Sequence, residues 1–323
     1  MAYTIDVHLN PDDVRTRMRA DALSGLQANE KSIPPMWFYD ERGSQLFEEI
    51  TRLPEYYPTR AERHLLEQHA SSIVELAKAD TLVELGAGAC EKTRVLLTAL
   101  QDLGTLSTYV PFDVSDEFLR DAASTLSDEY DDMAVHLVIG DFNDHLSAIP
   151  STGRRMIAFL GGTIGNFTPS QRRRFLFDLN CVLTSGDSFL LGTDLVKDRG
   201  RLVAAYDDAA GVTSKFNKNV LQVLNDQLGG DFDPDLFTHV ARWNEEERWI
   251  EMRLRAEAHT VVTLQAADIE VTFAEGEELL TEISAKFTPE QVREELAAAG
   301  FIVDEMWGAE EGEFLLTLAH PFC

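Results

Sequence analysis

The stretch that decides the fold is Thr81-Leu-Val-Glu-Leu-Gly-Ala-Gly-Ala-Cys-Glu-Lys-Thr93, followed by Val110-Pro-Phe-Asp-Val114. An apolar run carries an acid, Glu84, two residues before Gly86, and a second glycine follows at Gly88. Another apolar run ends in Asp113. This is the order of a strand, a tight glycine turn, a helix and a second strand, the arrangement in which a nucleoside rests on strand ends. The glycines let the backbone approach a ligand, and an acid at the second strand tip can hold both ribose hydroxyls. The turn lacks the third glycine of G-x-G-x-x-G, whose place is taken by Glu91. An acid there repels a pyrophosphate at the helix N-terminus, which counts against a nicotinamide-dependent oxidoreductase. A cationic, phosphate-free cofactor, S-adenosylmethionine, suits the turn, so these residues point to methyl transfer.

Outward from this stretch the chain alternates. Strands are expected near 81–86, 108–113, 134–139, 155–161 and 188–193, with helices near 91–103, 115–128 and 168–184, which implies a parallel sheet covered on both faces. Three helix starts carry capping signals: Thr59-Arg-Ala-Glu62, Thr168-Pro-Ser-Gln171 and Thr288-Pro-Glu-Gln291. Between about 195 and 286 the rhythm breaks. Helical text at 211–228 gives way to alternating strands near 237–243, 247–256, 258–264 and 269–273, a mainly antiparallel insertion. A helix at 288–299 and strands near 301–306 and 313–319 then resume the sheet. The fold class is α/β, one doubly wound sheet carrying a second domain built from the polar N-terminal region and the insertion.

At 323 residues and 44% apolar content, the chain can bury one large core or a core plus a smaller domain. The formal net charge is −28, from 28 basic and 56 acidic residues, and no Lys/Arg-rich run relieves it. Such a field repels nucleic acid and anionic membrane and favours a small soluble acceptor. The acidity equally fits a salt-tolerant host. Cys90, Cys181 and Cys323 show no C-x-x-C spacing, as in structural cysteines of a reducing compartment. No apolar run reaches membrane length and no secretory leader is present, so a cytoplasmic protein without membrane partners is expected. The eight histidines form no metal-ligand cluster, and no metal is expected.

Several side chains have two readings each. Lys92, in the first helical turn, is a cofactor contact or a solvated lysine. Asp141 and Phe142 end the third strand; they hold and stack an adenine, or form an Asp turn beside a core Phe. Asn166, after three glycines at the fourth strand end, donates to a carboxylate or tolerates a left-handed turn. Strict alternation over Arg248–Leu254 puts Ile250, Met252 and Leu254 on one face, where Met252 is core unless that face lines a pocket. Glu282 and Ser284 point the same way in an extended chain; they bind both nitrogens of an imidazole, or form a solvated face.

Taken together, these segments resemble the histidine Nα-methyltransferases of ergothioneine biosynthesis, over nearly the whole chain. Carrying the resemblance are Pro34-Pro-Met-Trp-Phe-Tyr-Asp40, Thr51-Arg-Leu-Pro-Glu-Tyr-Tyr-Pro-Thr-Arg60, Gly161-Gly-Thr-Ile-Gly-Asn166 and Gly192-Thr-Asp-Leu-Val-Lys197. Ala205-Tyr-Asp-Asp208, Ala241-Arg-Trp-Asn244, Ile250-Glu-Met252 and Leu280-Thr-Glu-Ile-Ser-Ala-Lys-Phe287 extend it. The resemblance implies a Rossmann-like class I methyltransferase domain at 61–196 plus 287–323, and a histidine-recognition domain at 1–60 plus 197–286. It implies that Tyr39, Gly86, Gly88, Lys92, Asp113, Asp141 and Phe142 hold S-adenosylmethionine. Asn166 and Tyr206 would hold the carboxylate of L-histidine, Glu282 and Ser284 its imidazole, with Tyr56 and Met252 lining the pocket. Ala87, Ala89, Cys90 and Gly162 depart from the family, which tends to carry hydroxyls there; their loss is expected to weaken cofactor binding.

The implied reaction is trimethylation of the histidine α-amine to hercynine by a monomer. Methyl transfer from a sulfonium is an in-line displacement, so alignment dominates. Tyr39, with Phe38, is expected to attract the growing ammonium through its ring and to relay the proton. Two other readings stay open on the residues alone: the same chemistry on a different amino acid or small amine, and a non-catalytic cofactor-binding module.

Overall fold

The structure, a computed structural model, describes residues 3–88, 90, 92–130, 132–309 and 312–322. Along the chain its strands are β1 (Thr4–Val7), β2 (Thr81–Leu85), β3 (Thr108–Asp113), β4 (Ala134–Ile139), β5 (Arg155–Phe159), β6 (Ser188–Asp194), β7 (Phe237–Asn244), β8 (Trp249–Ala256), β9 (Thr260–Leu264), β10 (Ile269–Phe273), β11 (Glu278–Ala285), β12 (Phe301–Gly308) and β13 (Phe314–Pro321). They fall into two compact units. A sheet unit comprises Met1–Leu9, Pro58–Val196 and Lys286–Cys323, and a second unit comprises Asn10–Tyr57 and Lys197–Ala285.

The sheet unit is the doubly wound sheet that the alternation predicts. Its order is β1-β4-β3-β2-β5-β6-β13-β12, with β1 to β6 parallel and the last two strands antiparallel. β2 faces two ways. Leu82 joins the cluster formed with Leu65, Leu97 and Leu126, while its neighbours Val83 and Leu85 are buried on the opposite side of the pleat. The strand order reverses between β2 and β5, which opens a crevice at their C-terminal ends, where α/β sheets bind ligands.

Two details differ from the sequence reading. The first nine residues belong to the sheet unit, because Thr4–Val7 pairs in parallel with β4. Four largely exposed residues on an edge carry too little apolar pattern to read as a strand. Thr59 is also no cap. The helix starts at Pro58, and Glu62, taken as the reciprocal member of a capping box, is fully buried. The box at Thr168–Gln171 forms both ways, whereas Gln291 turns its amide to Glu295 and leaves Thr288 as a one-sided cap.

The second unit packs around the helix Val212–Leu228, whose Phe216, Val220 and Leu224 are buried. Asp208 starts that helix by accepting the N–H groups of Val212 (3.0 Å) and Thr213 (2.7 Å). The helix Glu41–Thr51 and the antiparallel sheet β11-β8-β7 pack on it, with β9-β10 as a separate hairpin.

Candidate active site

The cofactor half is built on three neighbouring strand ends of the sheet unit. Gly86 (φ 71°) and Gly88 (φ 49°) follow β2 in the left-handed region that favours glycine. A Cβ on Gly86 would touch Phe142 Cε1 at 3.9 Å, so the Phe142 ring lies beside the turn. Phe142 is held edge-on by Phe159 (5.3 Å between centroids) and Phe175 (6.0 Å). Asp113, at the end of β3, accepts the N–H groups of Gly88 (3.0 Å) and Ser115 (3.0 Å). Burial raises the pKa of that carboxyl, and the two donors draw it partly back. A flat apolar face, a bare backbone turn and an acid therefore meet at one place, the chemistry an adenosine needs.

Other expected residues have structural duties beside this crevice. Asp141 is buried and caps its own short helix through the N–H of Asn143 (2.8 Å). Lys92 pairs with Glu62. Asn166, half-buried at the end of the turn Thr163–Asn166, has no hydrogen-bond partner for its amide among the described residues. Glu84, read with the glycines, turns inward: it is 3% exposed, and its Oε2 accepts the hydroxyls of Thr93 and Tyr109 (2.7 Å). Burial raises its pKa from 4.5 to about 7. It fastens the turn to β3 and to the next helix.

In the second unit an aromatic series joins Tyr39 to three of the six expected substrate residues. Tyr39 meets Phe47 edge-on (5.7 Å), Phe47 meets Tyr56 (6.2 Å), and Tyr56 meets Tyr206 (6.2 Å). Tyr206 then shares a hydrogen bond with Ser284 Oγ (2.7 Å). The loop bearing Tyr39 is fixed because Asp40 accepts from Gly43 N–H and Asn219 (both 2.7 Å). Phe38 is fully buried against Phe216 (4.6 Å), so it is core and offers no face to an ammonium.

A bulge decides where Glu282 and Ser284 point. Leu280 pairs with Arg253, but Glu282 pairs with Met252 and Ser284 with Ile250, because the register slips between Leu280 and Glu282. Without that slip Glu282 would face the side of Glu251; with it, Glu282 and Ser284 share the side of Met252 and Ile250. Met252 is 2% exposed and belongs to the core cluster of this unit. The other side of β8 is also buried. Glu251 there accepts from Arg242, Arg253, Asn244 and Trp249, and these donors outweigh burial to hold its pKa down to about 2.

Sequence reasoning missed a second layer behind Tyr206. His239 Nε2 bonds the Tyr206 carbonyl (2.8 Å), and His239 Nδ1 faces Asn217 Nδ2 (2.8 Å). Asn217 is fully buried and accepts the Thr281 hydroxyl (2.6 Å). With the amide donating to Nδ1, the neutral ring donates from Nε2 to Tyr206; burial lowers the His239 pKa accordingly.

The family model for SAM-dependent, histidine-specific methyltransferases matches residues 18–321. The chain belongs to that family. It is 52% identical over 319 residues to histidine N-alpha-methyltransferases of Mycolicibacterium smegmatis and Mycobacterium tuberculosis, covering 99% of each chain. Over 71% of its length it is 30% identical to the ergothioneine biosynthesis protein 1 of Neurospora crassa, covering 26% of that protein. It is therefore an S-adenosylmethionine-dependent methyltransferase.

Against the family pattern, Ala87 and Cys90 are buried in the apolar cluster of the sheet unit, with Cys90 Sγ beside the Tyr109 hydroxyl (3.2 Å). Gly162 (φ 68°) occupies a conformation that a Ser would strain. Ala89, Glu91 and Cys323 lie outside the described residues. Among those described, no helix is long and apolar enough to cross a membrane.

Proposed function

We propose that the chain transfers three methyl groups in turn to the α-amine of L-histidine, giving Nα,Nα,Nα-trimethylhistidine (hercynine) for ergothioneine biosynthesis. Most of the residues assigned to S-adenosylmethionine belong to the sheet unit, and most of those assigned to histidine belong to the second unit. The single observation that carries the substrate half is the joining of Tyr39, Tyr56, Tyr206 and Ser284 within one unit, with Met252 and Glu282 paired in register.

S-adenosylmethionine supplies an electrophilic methyl group on a sulfonium. Gly86 and Gly88 admit it closely, Asp113 accepts from its ribose, Asp141 and Phe142 take the adenine, and Lys92 and Tyr39 complete the contacts. The Asn166 amide and the Tyr206 hydroxyl donate to the histidine carboxylate. Glu282 and Ser284 read the two imidazole nitrogens, which selects against amino acids that leave either residue unpaired. Tyr56 and Met252 form the walls. The α-amine, mostly protonated near neutral pH, must lose a proton before each attack. Tyr39 is the catalytic residue: its hydroxyl passes the proton on, and its ring face attracts the growing ammonium.

Product masses after incubation with S-adenosylmethionine and L-histidine test the reaction. Successive gains of one, two and three methyl groups on the α-amine support it; methylation of the ring, or of another amino acid in preference, overturns it. Glu282→Ala should raise the histidine KM far more than the cofactor Kd, and equal losses would count against the imidazole assignment. We also read the protein as a cytoplasmic monomer without nucleic-acid partners, the net charge of −28 supporting the last point. Sedimentation checks the oligomeric state.

A further inference from the structure

We propose that Glu62 is a positioning residue for the cofactor half of the site, and that its charge tunes the choice between the sulfonium cofactor and its demethylated thioether. Glu62 is fully buried in the second turn of the helix that opens at Pro58. Its two oxygens both accept the Gly161 N–H, at 2.8 and 2.9 Å, and it pairs with Lys92. One carboxylate thus ties the loop after β5 to the residue that opens the helix after β2, across the point where the strand order reverses.

The chain makes deliberate room for it. Gly192 lies inside β6, an otherwise well-filled strand, and a Cβ there would stand 2.1 Å from Glu62 Oε1. Glycine in a strand interior weakens the strand and marks a close approach, here that of the carboxylate. A buried carboxylate is costly unless its partners answer it, so its placement asks for a role that an apolar side chain would not fill.

Charge provides that role. S-adenosylmethionine brings a sulfonium into the crevice, and an unpaired lysine would repel it. Lys92 paired with Glu62 keeps donors for a ligand while the pair carries no net charge. S-adenosylhomocysteine has a neutral sulfur and does not feel the difference. Loss of the Glu62 charge should therefore weaken S-adenosylmethionine more than S-adenosylhomocysteine, a signature that a structural role alone does not produce.

The inference rests on Lys92 being a cofactor contact, and the test separates the two. Calorimetric Kd values for both ligands are measured on the full chain as Glu62→Gln, Lys92→Met and the double variant. Glu62→Gln is expected to weaken S-adenosylmethionine about tenfold, roughly the value of a charge-assisted hydrogen bond. S-adenosylhomocysteine should weaken severalfold less, with the histidine KM at saturating cofactor unchanged, and the double variant should restore the ratio of the two ligands. If Lys92→Met leaves both affinities unchanged, the cofactor reading of Lys92 fails and takes the proposal with it. If Lys92→Met weakens binding but Glu62→Gln weakens neither ligand, or both equally, only the proposal fails. Should Glu62→Gln not fold, Gly192→Ala, which displaces the carboxylate from behind, must give the same skewed ratio; an unskewed ratio overturns the idea.

Discussion

Replacing Glu84 by Gln exchanges a buried carboxyl for an amide of nearly the same shape. Only Oε2 accepts the Thr93 and Tyr109 hydroxyls, and the Gln oxygen can take both. What changes is the proton. In the unfolded chain the carboxyl titrates near 4.5, whereas burial raises it to about 7 in the folded protein. Below 4.5 both states hold the proton. Between 4.5 and 7 the unfolded chain has released it and the folded chain retains it, so stability falls as pH rises, and above about 7 the loss is complete. At ~1.4 kcal/mol per pH unit, that window is worth on the order of 3 kcal/mol.

Urea denaturation followed by amide exchange in β2 and β3, at intervals from pH 5 to 8, measures the effect. The natural protein should lose about 2.5 kcal/mol across this range relative to Glu84→Gln, which should become the more stable of the two near pH 8. Asp113 also has a raised pKa and adds a slope of the same sign, but both proteins share it, so the difference between them isolates Glu84. Parallel curves would refute the reasoning, because they would mean that Glu84 ionises in the folded state as easily as in water.

Three further outcomes are expected. Gly86→Ala should cost about 1–2 kcal/mol at a φ of 71° and raise the cofactor Kd, and an unchanged Kd would remove the close-approach role of the turn. Asn217→Ala removes the donor to His239 Nδ1 inside the core, at about 1–2 kcal/mol, while the Thr281 hydroxyl keeps the Met252 carbonyl and His239 Nε2 keeps Tyr206; the histidine KM should rise while the cofactor Kd holds, and equal effects would separate this relay from Tyr206. Glu251 is held at about 2 against an ordinary 4.5, so its stabilisation is present above 4.5 and lost as pH falls toward 2. Glu251→Gln should therefore be less stable at pH 7 and show a flatter acid limb, which a pH series of thermal melts would detect.

The legible part of the molecule is the part written in short-range pattern. Apolar runs alternating with capped helices gave the sheet order its strands, and the glycines after β2 with Asp113 after β3 marked the crevice. What stayed hidden depends on distant partners. Glu62 reads as a capping residue because Thr59 stands three before it, yet its carboxylate is answered by Lys92 and by an amide 99 residues away. The one local trace is Gly192, a glycine inside an apolar strand. Glu84 reads as part of the glycine motif, yet its duty is structural: a period of two on β2 aligns it with Leu82 and the helix layer, and Tyr109 from the next strand completes its surroundings.

The bulge in β11 joins these observations. β8 presents one side to an ion network around Glu251 and the other to the aromatic residues of the second unit. A continuous ladder would have put Glu282 on the charged side, where Arg242 and Arg253 already serve Glu251 and Glu278. One extra residue moves it, with Ser284, to the side of Met252 and Tyr206. A carboxylate accepts hydrogen bonds, and a hydroxyl beside it can give or accept one. Under the proposed assignment, an imidazole would donate its N–H to the carboxylate and accept from the hydroxyl at its other nitrogen. Alternation alone shows that Glu282 and Ser284 share a side; which side they share is set by the register across to β8.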